Sequence, residues 1–110
     1  MFPTTKAIAP EQIVRDLLAS PRVRQAFARF AERADEITRE QTAICEIPAP
    51  PFGEEARAEY LAARFRQCGL KETTIDAEGN CIALRRGASL HPLLVVSAHL
   101  DTVFPEGTNF

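Results

Sequence analysis

The chain has 110 residues, of which 45% are hydrophobic and 25% charged, a composition typical of a globular protein and not of a disordered one. The 13 basic and 15 acidic residues give a net charge of −2, without the basic excess of a general nucleic-acid binder. No apolar run approaches the roughly 18 residues of a membrane-spanning helix, and no secretory signal follows Lys6, so we expect a soluble, cytoplasmic chain that binds neither nucleic acid nor membrane.

The cysteines indicate a reducing environment. Their number is odd, and no two of Cys45, Cys68 and Cys81 form a C-x-x-C pair. This count excludes a disulfide framework and a four-cysteine zinc knuckle. We therefore interpret all three as reduced residues that act as small hydrophobic side chains.

The first half of the sequence predicts helices. Residues 1–10 show no periodic pattern and are interpreted as a mobile lead-in. A short helix is predicted over 11–19, and Ser20-Pro21 is typical of the start of the next, with serine as the cap. Residues spaced by three and four, all apolar except Gln41, then predict one helix over about 21–46 with a stripe that faces the core. The stripe consists of Val23, Phe27, Phe30, Ala34, Ile37, Gln41 and Ile44.

The second half changes from helix to strand. Pro48–Gly53 is a stiff connector, and a further helix is predicted from Glu54 to Cys68. Alternation predicts a hairpin of Lys71–Asp76 with Cys81–Arg86. Leu93–Ala98 is apolar on both faces, which is typical of a strand buried in the middle of a sheet. The order of elements predicts an α/β fold.

The residues with the clearest chemistry follow the predicted buried strand. His99 and Asp101 lie at its carboxyl end, where open α/β sheets bind ligands. Side chains two residues apart on an extended backbone point the same way, so the Asp101 carboxylate can reach one imidazole nitrogen. That contact would aim the other nitrogen of His99 at a metal ion, as in carboxylate–histidine–zinc sites.

From here the sequence resembles a known family. Ala98-His99-Leu100-Asp101-Thr102-Val103-Phe104-Pro105 is similar to the first metal motif of the co-catalytic zinc peptidases and deacylases. That family includes tripeptide aminopeptidase, carboxypeptidase G, acetylornithine deacetylase and succinyl-diaminopimelate desuccinylase. Three earlier segments match in the same order. They are Glu46-Ile47-Pro48-Ala49-Pro50 with Gly53-Glu54-Glu55, then Cys68-Gly69-Leu70, then Asp76 with Gly79-Asn80.

The resemblance implies a fold and a chemistry. It implies a three-layer α/β/α catalytic domain, of which residues 11–110 are the amino-terminal portion with an incomplete sheet. His99 would be a zinc ligand, and Asp101 would be the catalytic residue that orients it. In the family two zinc ions share a bridging aspartate and a water, and a glutamate acts as general base in amide hydrolysis. The substrate would be a small peptide or an N-acyl amino acid, and the parent could be a homodimer.

The ligand set is incomplete in this sequence. Catalytic zinc usually takes three protein ligands, whereas the bridging aspartate, the paired glutamates and the later ligands of the family have no counterpart here. The other histidine, His91, lies eight residues before His99, up to about 26 Å away along an extended chain. We therefore expect an amino-terminal fragment of a longer enzyme, inactive by itself.

Several alternatives stay open. Glu54 and Glu55 could be mistaken for a catalytic carboxylate pair, but their place at a helix start favours an interaction with the helix dipole. The segment from His99 to Thr108 favours a di- or tripeptide aminopeptidase, and an N-acyl amino acid deacylase is the nearest alternative. A non-catalytic α/β module that binds a partner through an unpaired sheet edge is the alternative of a different class.

Overall fold

A computed structural model describes residues 9–110, which form four α-helices and one two-stranded antiparallel sheet. This arrangement agrees with the coarse expectation of a mixed α/β chain. The chain divides into two compact units, Met1–Arg39 and Glu40–Phe110. Residues 1–8 of the predicted lead-in fall outside the described residues, and its last two residues form the N-cap, Ala9, and the first position, Pro10, of the first helix. None of the helices within residues 9–110 is long and apolar enough to cross a membrane.

The first unit contains two helices that pack on each other, α1 (Pro10–Ala19) and α2 (Pro21–Glu32). Proline occupies the first position of both, where its missing N–H breaks no helical hydrogen bond. Ser20 stands at the N-cap of α2 as predicted, but its side chain makes no capping hydrogen bond.

The predicted single helix over 21–46 is wrong, because α2 ends at Glu32 and α3 runs Ala34–Glu46. Between them the Arg33 backbone leaves helical geometry, with φ −103° and ψ 14°. The Arg33 side chain donates to the Glu36 carboxylate in the first turn of α3, at 2.6 and 2.8 Å. This ion pair and the acidic first turn stabilise the start of a new helix, although the stripe of the sequence continues without interruption.

The expectation that this stripe faces the core is also wrong for its large residues. Phe27, Phe30 and Ile37 keep 56%, 66% and 42% of their surface exposed. An apolar stripe is buried only where a second layer covers it. The pair of helices α1 and α2 does not form a second layer large enough to cover these apolar side chains.

The second unit contains α4 (Glu55–Gln67) and a hairpin of β1 (Lys71–Ile75) and β2 (Cys81–Leu84). The helix and both strands are confirmed, with ends one or two residues from the predicted ones. The inner face of α4 packs on both strands and carries the buried Ala58 and Ala62. The hairpin register pairs Ile75 with Cys81 and Thr74 with Ile82.

The predicted strand over 93–98 is wrong in this structure. Residues 93–98 have no regular secondary structure, and Leu93–Val96 are 70–89% exposed. A strand that is apolar on both faces needs partner strands and covering helices. The sheet formed by residues 9–110 contains only β1 and β2.

A buried hydroxyl in β1 predicts a stabilising substitution. Thr73 Oγ1 is shielded from solvent, and no group within residues 9–110 hydrogen-bonds to it. An unsatisfied buried hydroxyl is unfavourable, so we expect Thr73→Val to raise the free energy of unfolding by about 1 kcal/mol. Urea denaturation checks this, with the exposed Thr74→Val as matched control. Equal effects of the two substitutions would contradict the explanation.

The hairpin turn predicts a dependence of stability on pH. The Asp76 carboxylate accepts hydrogen bonds from Asn80 Nδ2, the Asn80 amide and the Glu78 amide, each at 2.9 Å. These bonds, that from the Asn80 side chain first, hold the pKa of Asp76 below its ordinary value. Folding therefore gains from the ionised form above the ordinary pKa of about 4. The gain is lost as the pH falls through the lower pKa of the folded state.

We expect the thermal midpoint to fall as the pH is lowered from about 5, and to fall less steeply in Asp76→Asn, which cannot titrate. Circular dichroism melts over this pH range measure both slopes. Parallel slopes for the two proteins would show that Asp76 does not contribute to the pH dependence.

Candidate functional site

The segment around His99 is fixed by its backbone, although it belongs to no helix or strand. The Leu100 carbonyl accepts a hydrogen bond from Arg57 Nη1 at 2.6 Å. The Thr102 amide donates to the carbonyl of Ala49 at 2.8 Å. Ala49 is fully buried in the proline connector, so the segment rests on a rigid part of the second unit. The main chain is thus held on both sides of Asp101.

The structure brings His99 and Asp101 together. His99 Nδ1 lies 3.1 Å from Asp101 Oδ1, and the side chains are 80% and 41% exposed. An ionised carboxylate is an acceptor only, so the proton of a neutral imidazole in this contact sits on Nδ1. The lone pair of Nε2 is then free to bind a cation.

One residue of the site was missed by the sequence analysis. Arg57 is 3% exposed and donates to oxygens both before α4 and beyond the hairpin. The position of Arg57 in the sequence could have identified it, because Arg57 precedes Leu61 by four residues and Phe65 by eight. This spacing places a cation on the inner face of α4, where apolar side chains are expected.

Other potential metal ligands are not assembled around His99. Within residues 9–110, no group of three or more His, Cys, Asp or Glu side chains is placed to hold a metal ion. The three cysteines are unpaired, and burial raises the pKa of the Cys81 thiol. Raising that pKa disfavours the thiolate, the form that binds zinc. The residues present fit one protein ligand of a zinc site, the His99 imidazole, together with the Asp101 carboxylate that orients it.

Glu54 and Glu55 lie at the start of α4. Glu55 is the first residue of that helix, and Glu54 occupies the N-cap without a side-chain capping bond. The Glu54 carboxylate instead accepts a hydrogen bond from the Phe52 amide at 2.9 Å. This bond supports a positive φ of 67° at Phe52. A role in the loop and at the positive end of the helix dipole accounts for both carboxylates.

A second polar network ties α3 to α4. The Glu40 carboxylate accepts from Arg64 Nε at 2.7 Å, Arg64 Nη2 at 3.0 Å and the Tyr60 hydroxyl at 3.2 Å. The pKa of Tyr60 is raised, chiefly by burial and then by its hydrogen bond to Glu40. The hydrogen bonds and the charge of Glu40 also raise the pKa of Arg64. Because these hydrogen bonds join the two helices, we interpret the network as structural.

Comparison with protein-family models and with curated proteins gives no match for this chain.

Proposed function

We propose that this chain is the amino-terminal part of a zinc-dependent hydrolase that cleaves an amide bond, with a di- or tripeptide as substrate. The observation that supports it best is the 3.1 Å contact between His99 Nδ1 and Asp101 Oδ1 on an anchored backbone. A histidine that binds zinc almost always donates its other ring N–H to such a partner. The resemblance of residues 98–105 to a zinc-peptidase motif points to the same chemistry.

The two side chains have separate tasks in this proposal. His99 offers the Nε2 lone pair as a ligand, and Asp101 keeps the ring proton on Nδ1 and fixes the direction of the ring. The metal, when bound, lowers the pKa of its water and polarises the amide carbonyl. Because catalytic zinc takes three protein ligands and residues 9–110 bring one to this site, we expect the others elsewhere in a longer, cytoplasmic protein.

The proposed three-layer domain would also account for the exposed segment before His99. Leu93–Val96 are 70–89% exposed, which is unusual for four successive large apolar residues. In a longer protein, neighbouring strands would pair with this segment and cover it. The segment would then form the strand that the sequence predicts. The same exposure favours the second candidate, a non-catalytic module that binds a partner protein through this segment.

Zinc titration of the longer protein, prepared without metal, tests the metal assignment, because the single ligand in residues 9–110 is expected to bind zinc poorly by itself. The sequence contains two histidines, so His91 serves as an internal control for His99. We expect a saturable zinc-dependent shift of the His99 ring resonances in NMR spectra, with a much smaller shift at His91. Equal shifts at both rings, or none at His99, would contradict a zinc site.

The protein made by its source cell tests the rest of the proposal. Purified through an amino-terminal tag, it should have a mass well above 12.2 kDa, contain zinc and hydrolyse tripeptides. Faster hydrolysis of N-acyl amino acids would identify the deacylase alternative. A 12.2 kDa product without zinc that retains a bound protein would favour the partner-binding module.

A further inference from the structure

Arg57 is the most deeply buried charged side chain of the site, at 3% exposure. Its guanidinium donates to four acceptors, all neutral oxygens of residues 9–110. They are the carbonyls of Cys45, Ile47 and Leu100 and the hydroxyl of Thr102. Burial of a charge is unfavourable unless hydrogen bonds replace its hydration, and here they do so without a carboxylate.

The guanidinium joins two distant parts of the second unit. On one side it donates to Cys45 in the last turn of α3 and to Ile47 just after it, where helix carbonyls lack internal donors. On the other side Nη1 reaches Leu100 at 2.6 Å and Nη2 reaches Thr102 Oγ1 at 3.2 Å. The rigid, planar fork of arginine makes both sets of bonds at once.

We propose that Arg57 is a positioning residue for the His99–Asp101 pair, an inference that rests on the proposed zinc function. The two side chains are 80% and 41% exposed, so little packing holds them in place. Their relative direction is set by the backbone between them, and Arg57 holds the Leu100 carbonyl of that backbone. Arg57 thereby keeps His99 Nδ1 on the carboxylate and Nε2 directed outward.

The test is Arg57→Lys in the full chain, because lysine keeps the charge but brings one nitrogen where arginine brings three. The matched control is Arg64→Lys, on the same helix as Arg57. It weakens the bonds from Arg64 to Glu40 of α3 without touching residues 99–102. Three measurements are made on each variant. They are the circular dichroism melt, the ¹⁵N resonances of the His99 ring without metal, which report the tautomer, and the zinc affinity at His99.

We expect Arg57→Lys to fold, to lose much of the Nδ1–H tautomer of His99, and to bind zinc about 10-fold more weakly or worse, as is usual when an outer partner of a ligand is lost. Arg64→Lys should leave both His99 measurements unchanged. A folded Arg57→Lys with the wild-type His99 spectrum and affinity would overturn the proposal.

Two further outcomes are distinguishable. If Arg57→Lys fails to fold, Thr102→Val removes one acceptor of the guanidinium, and an unchanged His99 spectrum in that variant overturns the positioning role. If the longer wild-type protein binds no zinc at His99, the zinc function fails. A change of the His99 tautomer in Arg57→Lys would then still support positioning by Arg57, since the ¹⁵N measurement is made without metal.

Discussion

In the longer protein proposed above, replacement of His99 by alanine is expected to weaken zinc binding by about 100-fold or more, a larger loss than the 10–100-fold typical of removing an orienting partner. His99 Nε2 is the nitrogen that the contact with Asp101 leaves free, so alanine removes the ligand itself. Isothermal titration calorimetry and the zinc-dependent amide shifts of residues 100–102 measure the loss. His91→Ala is the control, because it removes another exposed imidazole.

Asp101→Asn separates orientation from ligation. The amide oxygen of asparagine still accepts the Nδ1 proton, but it carries no charge, so we expect zinc to bind about 10-fold more weakly than in the wild type. The order of affinities should therefore be wild type, then Asp101→Asn, then His99→Ala. Zinc binding by His99→Ala equal to that of the wild type would remove the basis of the proposed hydrolase.

Elements specified by neighbouring residues could be predicted from the sequence. The helix α4 begins at its acidic residues and ends before Gly69, and the hairpin turn is built from Asp76 and Asn80. Each of these features depends on contacts within about five residues, such as capping, dipole and turn hydrogen bonds. The sequence therefore contains all the information that they require.

Elements that depend on distant partners could not be predicted in this way. The run Leu93–Ala98, apolar on both faces, and the stripe of α2 and α3 describe surfaces suited to burial, not surfaces that are buried. Whether such a surface becomes a strand or a core depends on the layer placed against it. The structure leaves Phe30 and Leu94 at 66% and 86% exposure, since no such layer is formed by residues 9–110.

The site divides in the same way. The contact between His99 and Asp101 was predicted from their separation of two residues, because side chains two apart lie on the same side of an extended backbone. Arg57 escaped notice because its bonds to Leu100 and Thr102 span 43 and 45 residues. The only local indication is that Arg57 places a charge on the apolar face of α4, and this position alone does not predict which oxygens the guanidinium binds.

The packing of α4 leads to the second large prediction. Ala58 is fully buried on the inner face of α4, which packs on β1 and β2, whereas Ala63 on the same helix is exposed. We expect Ala58→Leu to lower the free energy of unfolding by about 1–3 kcal/mol, because a filled interior cannot take three more carbon atoms without strain. Ala63→Leu should change it by less than about 0.5 kcal/mol. Urea denaturation of both variants measures the difference.

The same substitution links the core to the site. Ala58 is adjacent to Arg57, so a displacement of α4 away from the hairpin also moves the guanidinium relative to the Leu100 carbonyl, now 2.6 Å from Nη1. Ala58→Leu should therefore weaken zinc binding at His99 even in the fraction that stays folded, while Ala63→Leu should not. If Ala58→Leu proves as stable as Ala63→Leu, the inner face of α4 has free space, and α4 then keeps the bond from Arg57 to Leu100 in place, so zinc binding at His99 should also be unchanged.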